Sequence, residues 1–296
     1  MVAQFDGLAS WKSAEADLSG AVGRVAEHPG FSAAARALAS GMLELAAADR
    51  VLDAIFKDAG RYFAAMWGFA LHEDGGLTLP RLKAVCERSG LLSPGRARTL
   101  LQFLQHCAYI ERRPAAPGPD LYVPSPAYLA AWDRHFVTSL AAASFIDPGV
   151  AVLLGADAAA ASMRQAYGRI HADGTLASMA SEPPGFSFLR VFLHPYAGNH
   201  IAWTLLASEL DPEFPPRRAG PVSMAGLARA CGAARSQVTR VFHRAAEAGL
   251  ATVEADGVVL FSDDAREQLR FFYAAQFVQI LAAAARASEP RGVLAG

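Results

Sequence analysis

The hydrophobic pattern of the chain predicts long amphipathic helices and two short hairpins. Apolar residues recur every three or four positions through several long segments, as they do on one face of a helix. Asp256-Gly257 lies between β-rich flanks within residues 251–261, and this dipeptide is typical of a two-residue hairpin turn. A second hairpin, with a longer tip rich in Pro and Gly, is predicted over residues 110–123. The pattern therefore predicts a mainly α fold with small β-hairpins.

The sequence contains an internal repeat. Residues 78–110 and 223–250 each form a short helical segment, a turn that contains glycine, and a second helical segment. Leu82 and Leu227 each stand four residues before a cysteine, at the end of the first segment. A hairpin follows in both copies, so the repeated unit is larger than two helices.

Each copy is enclosed by further predicted helices. Ser125 followed by proline, and Ser262 followed by two aspartates, are typical helix starts. They open long helices predicted over residues 126–143 and 263–285. Another helical segment precedes each copy, at residues 47–72 and at about 199–210.

This order of elements resembles the winged helix-turn-helix, and the second copy resembles the MarR-type transcription regulators in particular. The residues that carry the resemblance are Leu227-Ala228, Gly232, Ser236 to Arg240 and Ala248 to Leu250. The first copy departs from it, because Gly95 takes the place of Ser236 and Ala108-Tyr109 replaces the glycine-led exit. The resemblance covers about 78–143 and 221–286, under half of the chain. It implies two winged helix-turn-helix domains in one chain, with flanking helices.

The domain organisation follows from the repeat. Residues 1–145 are predicted to form an N-terminal helical arm and the first winged helix, and residues 146–194 a connecting segment. Residues 195–296 are predicted to form the second winged helix with its long C-terminal helix.

Charge is distributed unevenly along the chain. The formal net charge is only -1, from 27 basic and 28 acidic side chains. Residues 76–113, however, carry seven basic and two acidic groups, and residues 217–250 carry six and one. Because binding to phosphates requires cationic surface, these two basic segments are compatible with a nucleic-acid partner.

The resemblance implies that the second helix of each copy lies in the major groove of double-stranded DNA. The side chains expected to face the DNA are Ser93, Arg96, Arg98, Thr99, Gln102, Arg112 and Arg113 in the first copy, and Arg235, Ser236, Gln237, Thr239, Arg240 and His243 in the second. Gln237 suits adenine and Arg240 suits guanine. Because the two helices differ, an asymmetric site is expected rather than a palindrome. The acidic second wing, with Glu254 and Asp256, disfavours tight docking of that copy.

The predicted function is a sequence-specific DNA-binding transcriptional regulator, in which one chain imitates a two-fold dimer. The chain is then a monomeric pseudo-dimer or a homodimer. The alternative is a tandem winged-helix scaffold that binds proteins and not DNA, because a fold alone does not determine function.

Aromatic residues are dense between residues 182 and 203. MarR-like regulators commonly bind small aromatic ligands, and the residues that could line such a pocket are Phe186, Phe188, Phe192, Tyr196 and Trp203. The alternative is that these rings join the two halves of the chain by packing.

The sequence does not indicate an enzyme or a cofactor. It lacks a glycine-rich phosphate loop, a His-Glu-x-x-His motif and a Gly-x-Ser-x-Gly motif. His194 and His200 are close enough in sequence to suggest a metal, but an unrelated pair is more common, so no metal site is predicted. The three cysteines match neither a disulfide framework nor a zinc site. No export signal or membrane span is recognised, and a cytoplasmic location is expected.

Overall fold

The computed structural model describes residues 7–14, 17–115, 117–155, 158–180, 187–208 and 210–289. Within them the protein is mainly helical, with two small antiparallel sheets of three strands each. The predicted mainly α fold with small β-hairpins is therefore confirmed.

Twelve α-helices and six strands are found in the described part of the chain. The helices are α1 Leu18–Ala26, α2 Phe31–Ala48, α3 Arg50–Phe56, α4 Ala59–Glu73, α5 Leu79–Ser89, α6 Pro94–His106, α7 Pro126–Ala143, α8 Ala158–Ala180, α9 Gly198–Leu206, α10 Met224–Ala230, α11 Arg235–Glu247 and α12 Asp263–Ala287. The strands are β1 Leu77–Thr78, β2 Ile110–Arg113, β3 Leu121–Pro124, β4 Arg218–Ala219, β5 Ala251–Val253 and β6 Val259–Phe261. Short 3-10 helices cover Leu8–Ser13 and Pro148–Leu153, and a π-helix covers Leu189–Leu193.

The two halves have the same order of elements. The first sheet has the strand order β1-β3-β2 and the second β4-β6-β5, and all neighbouring strands are antiparallel. In each half the first strand is followed by two helices, α5 and α6 or α10 and α11, and then by the hairpin. The long helices α7 and α12 follow the hairpins, so the repetition seen in the sequence extends to the topology.

Serine side chains cap four helices in the described part of the chain, α6, α7, α10 and α12, and the sequence predicts the starts at Ser125 and Ser262. Ser93, Ser125 and Ser262 each accept a hydrogen bond from the backbone N–H three residues later. Proline occupies the first turn after Ser93 and after Ser125, where its missing N–H costs no helical hydrogen bond. The boundaries of α6, α7 and α12 therefore have a local cause.

The single helix predicted over residues 47–72 is wrong, because residues 47–48 end α2 and the rest of the range forms α3 and α4. Asp49 accepts hydrogen bonds from the N–H groups of Val51 and Leu52, and Asp58 accepts one from Arg61. The break falls at Lys57-Asp58 because Asp58 adopts an extended conformation and caps α4.

Helix α8 lies within residues 146–194, which the sequence predicts to be a connecting segment. It packs against α12 and α4, and the long helices α7 and α12 also contact each other, as expected. Tyr167 of α8 is fully buried with Phe136 of α7, their ring centroids being 5.4 Å apart. A single core thus runs from the N-terminal helices to α12. No helix in the described ranges is long and apolar enough to cross a membrane.

Candidate nucleic-acid interface

Helix α6 has one buried and one exposed face. Ala97, Leu100, Leu101 and Leu104 are buried, as their spacing predicts. The side chains on the opposite face are exposed, and these are Ser93, Arg96, Arg98, Thr99 and Gln102. All five belong to the set that the sequence analysis selects in this helix, so they share one surface.

Helix α11 repeats this arrangement. Its buried residues are Val238, Val241, Phe242 and Ala245. Arg235, Ser236, Thr239, Arg240 and His243 are exposed, and Gln237 is half-buried. The helix begins at Arg235 without a side-chain cap, so Ser236 lies in the first turn and does not cap the helix as Ser93 caps α6.

Some of these outward side chains form hydrogen bonds with other residues of the protein. Arg96 Nη2 lies 3.2 Å from both carboxylate oxygens of Asp58. Gln237 Nε2 donates to the carbonyl oxygen of Tyr196 at 3.2 Å. Arg96 and Gln237 occupy the same position in the two copies, when Leu100-Leu101 is placed over Val241-Phe242. In the first half this position connects the start of α6 to Asp58, which precedes α4. In the second half it connects the start of α11 to Tyr196, which precedes α9.

Three arginines differ from Arg96 in this respect. Arg98, Arg235 and Arg240 are exposed and form no ion pair with any residue that the structure describes. Since a bidentate contact to a base or phosphate requires an uncommitted guanidinium, these three side chains are the best placed to bind an anionic partner. His243 lies 3.4 Å from Glu247 and is less suited to that role.

The two hairpins carry different charges, and in each of them a nearby side chain of opposite charge balances part of the total. In the first hairpin Arg112 Nε donates to Asp120 at 2.6 Å, and Arg113 lies 3.3 Å from Glu111. These are exposed pairs, which contribute little to stability and exchange readily for other partners. In the second hairpin Glu254 lies 3.4 Å from Arg218 of β4. The acidic tip is thus partly neutralised.

The rings predicted to line a ligand pocket lie mostly in the core. Phe188, Phe192 and Trp203 are buried and Tyr196 is exposed, whereas Phe186 lies outside the described residues. Phe192 packs against Phe242 and Phe261, which are core residues of the second half. The cavity beside Phe188 and Trp203 has a volume of about 30 Å³, enough for roughly one or two water molecules. The packing favours the alternative in which these rings join structural elements.

His194 and His200, the two histidines considered as a metal-binding pair, have different neighbours. His200 Nε2 lies 3.0 Å from Asp53, and His194 is a neighbour of Asp58 and Arg96. No group of three or more potential metal ligands occurs within the described ranges.

The structure reveals a contact between the two halves that sequence reasoning missed. Lys57 Nζ donates to the carbonyl oxygen of Cys231, in the turn before α11, and to Asp53, both at 2.7 Å. Its neighbour Asp58 binds Arg96 at the start of α6. Both side chains are almost fully buried. Two consecutive residues therefore connect the turn between α10 and α11 with the start of α6.

Replacing Asp58 with alanine is expected to lower the free energy of unfolding by about 2 kcal/mol, because a helix cap and a charge-assisted hydrogen bond are lost together. Asp58→Asn is the matched control, since asparagine also caps helices well and should cost less. Urea denaturation of the three proteins measures the difference. Equal stability of Asp58→Ala and wild type would contradict the role of this carboxylate.

No family model, curated protein or solved structure matches this chain.

Proposed function

We propose that the protein is a sequence-specific DNA-binding transcriptional regulator that contains two winged helix-turn-helix units in one chain. The order strand, helix, helix, hairpin and long helix occurs twice and supports this proposal. In it α6 and α11 are the recognition helices, and the β2-β3 and β5-β6 hairpins are the wings.

The observation that carries the proposal is the presence of uncommitted arginines on the recognition helices. Arg98 on α6 and Arg235 and Arg240 on α11 project from the faces that a helix-turn-helix presents to the major groove. Arginine there pairs with guanine O6 and N7 or with phosphate oxygens. Thr99 and Thr239 stand beside these arginines and suit phosphate or base contacts.

The distribution of charge supports the same function. The two basic segments lie on the two helix-turn-helix units, while most of the remaining chain is acidic. A duplex that approached the acidic surface would be repelled. Non-specific DNA binding is therefore weak and docking is confined to the recognition faces.

A protein-binding scaffold is the second candidate, and a specific observation favours it. Arg96, Arg112, Arg113 and Gln237 all have partners within the chain. A surface whose polar groups are satisfied internally does not require DNA.

The two candidates differ in their response to salt. Full-length protein is first used to select duplexes from a random pool, and affinity is then measured by fluorescence anisotropy at several salt concentrations. A DNA-binding regulator shows log affinity that falls linearly with log salt, with a slope close to the number of phosphates contacted. The selected site should be asymmetric.

Two outcomes would change the proposal. The absence of salt-dependent binding to any duplex would favour the scaffold. Recovery of perfect inverted repeats would show that two chains each contribute one unit.

A further inference from the structure

A pair of exposed side chains lies between the first turns of α6 and α11. Arg61, in the first turn of α4, places its guanidinium carbon 5.6 Å from the centre of the Tyr196 ring. The Arg61 side chain is 37% exposed and Tyr196 is 42% exposed. Arg61 Nη2 has no hydrogen bond to any residue that the structure describes, so this part of the guanidinium is available to a partner.

The orientation of Arg61 is fixed by the chain. Its Nε lies 3.6 Å from Asp58, and its Nη1 donates to the carbonyl oxygen of Ala54 at 3.3 Å. The Tyr196 ring supports one face of the guanidinium through a cation–π contact. A planar cation held in this way loses little conformational entropy when it binds.

The pair is connected to both recognition helices. Asp58, which neighbours Arg61, binds Arg96 of α6, and the carbonyl oxygen of Tyr196 accepts the hydrogen bond from Gln237 of α11. Arg96 and Gln237 are equivalent positions of the repeat, so the pair occupies the centre of a pseudo-symmetric arrangement.

His194 gives independent support for this placement. Burial lowers its pKa, Arg190 and Arg96 lower it further, and Asp58 opposes them. The segment 194–196 of the second half therefore lies within electrostatic range of the start of α6 in the first half. Arg61, Arg96 and Arg190 bring three positive charges to this junction, and Asp58 offsets one of them.

We propose that Arg61, supported by Tyr196, enters the minor groove of DNA between the sites bound by α6 and α11. This inference rests on the proposed DNA-binding function. When two recognition helices occupy successive major grooves on one face of a duplex, the minor groove between them faces the protein. An arginine at that position meets the strong negative potential of a narrow minor groove.

The proposal assigns a sequence preference to base pairs that neither recognition helix touches. Narrow minor grooves occur in A·T-rich tracts, and the 2-amino group of guanine obstructs the groove floor. The chain should therefore prefer A·T at the centre of its site.

Inosine substitution separates groove shape from base identity. Three duplexes carry the same selected flanks with central A·T, G·C or I·C pairs, where I·C lacks the 2-amino group but resembles G·C in the major groove. Wild-type protein should bind the A·T and I·C duplexes roughly tenfold more tightly than the G·C duplex, a typical effect of one unfavourable base pair. Arg61→Ala should bind all three with similar affinity, and Tyr196→Ala should weaken the preference.

Arg24→Ala is the control, because it removes an exposed arginine from α1. Its central preference should equal that of wild type. Wild-type protein that binds the three duplexes equally would overturn the minor-groove role without any variant, even if Arg61→Ala failed to fold. An Arg61→Ala protein that still prefers the A·T and I·C duplexes over the G·C duplex would also overturn the minor-groove role. Failure of wild type to bind any duplex would instead reject the proposed function itself.

Discussion

The double variant Arg98→Ala/Arg240→Ala should bind a selected duplex on the order of 100-fold or more weakly than wild type. Each lost arginine contact to a base is worth roughly 1–3 kcal/mol. The two residues belong to different helices and share no described partner, so their effects should add. Neither side chain contributes an ion pair to the described structure, and the stability of the protein should not change.

Comparison with the single variants makes this experiment informative. If both units bind, each single substitution should weaken binding, and each lost phosphate contact should lower the salt slope by about one. Arg24→Ala is again the control for a general loss of positive charge. If Arg240→Ala alone reproduces the full loss while Arg98→Ala has no effect, only the second unit binds DNA.

Local sequence signals account for the elements that the sequence predicts well. Asp256-Gly257 lies at the tip of the β5-β6 hairpin, and Gly257 has a φ of 85°, a conformation that glycine adopts at little cost. The hairpin is therefore confirmed, but its loop spans Ala255 to Gly257 and is not the two-residue turn that the dipeptide predicts, because the N–H of Glu254 donates to the carbonyl oxygen of Val258. Ser125 and Ser262 start α7 and α12 as expected. In each case the residues that determine the element are close neighbours in the chain, so pattern and propensity are sufficient.

The elements that the sequence does not predict depend on distant contacts. Strands β1 and β4 contain two residues each and exist because they pair with β3 and β6. The break between α3 and α4 has a local cause, the Asp58 cap, but the distant contacts made there, of Lys57 to Cys231 and of Asp58 to Arg96, are not predicted by the sequence. No local pattern encodes these partners, which are separated by 174 and 38 residues.

Part of the candidate site can likewise be predicted from the sequence, and part of it cannot. The exposed faces of α6 and α11 follow from helical spacing, and the sequence is sufficient to select them. The central pair Arg61-Tyr196 joins residues of α4 and of the segment before α9. Arg61 has no distinguishing sequence context, so only the tertiary structure shows that it lies between α6 and α11.

Acidification from pH 7 to pH 5 should strongly destabilise the protein, because three buried histidines are uncharged in the folded state. Burial lowers the pKa of His135 to about 3, and His171 adds to this effect. Burial also lowers the pKa of His171 to about 4. The pKa of His200 falls to about 4 through burial and the nearby Lys57, although Asp53 opposes the shift.

The surroundings of these histidines explain why protonation is disfavoured. His135 is hydrogen-bonded to the Tyr62 hydroxyl at 2.7 Å and packs against Trp132 and Phe136. His171 stacks on Tyr167, with a centroid distance of 5.5 Å. The Nδ1 atoms of His135 and His171 have no hydrogen-bond partner among the described residues. Within the described ranges no carboxylate is hydrogen-bonded or ion-paired with either ring to stabilise a positive charge.

The direction of the effect follows from proton binding. In the unfolded chain each histidine titrates near pH 6.5, so the unfolded state binds more protons than the folded state below that pH. The stabilisation is complete above about pH 6.5 and is lost as the pH falls from 6.5 toward 4. Each histidine contributes up to about 1.4 kcal/mol per pH unit in this range. Urea denaturation at half-unit intervals between pH 5 and pH 7 measures the slope.

Two substitutions in the same cluster distinguish proton linkage from a general loss of packing. His135→Phe removes one titrating group, so its free energy of unfolding should depend less steeply on pH, by up to about 1.4 kcal/mol per pH unit. Trp132→Phe alters the same packing and removes no titrating group, so its stability should fall while its slope matches wild type. A His135→Phe slope equal to that of wild type would show that folding does not change the pKa of His135, and that acid lability arises elsewhere.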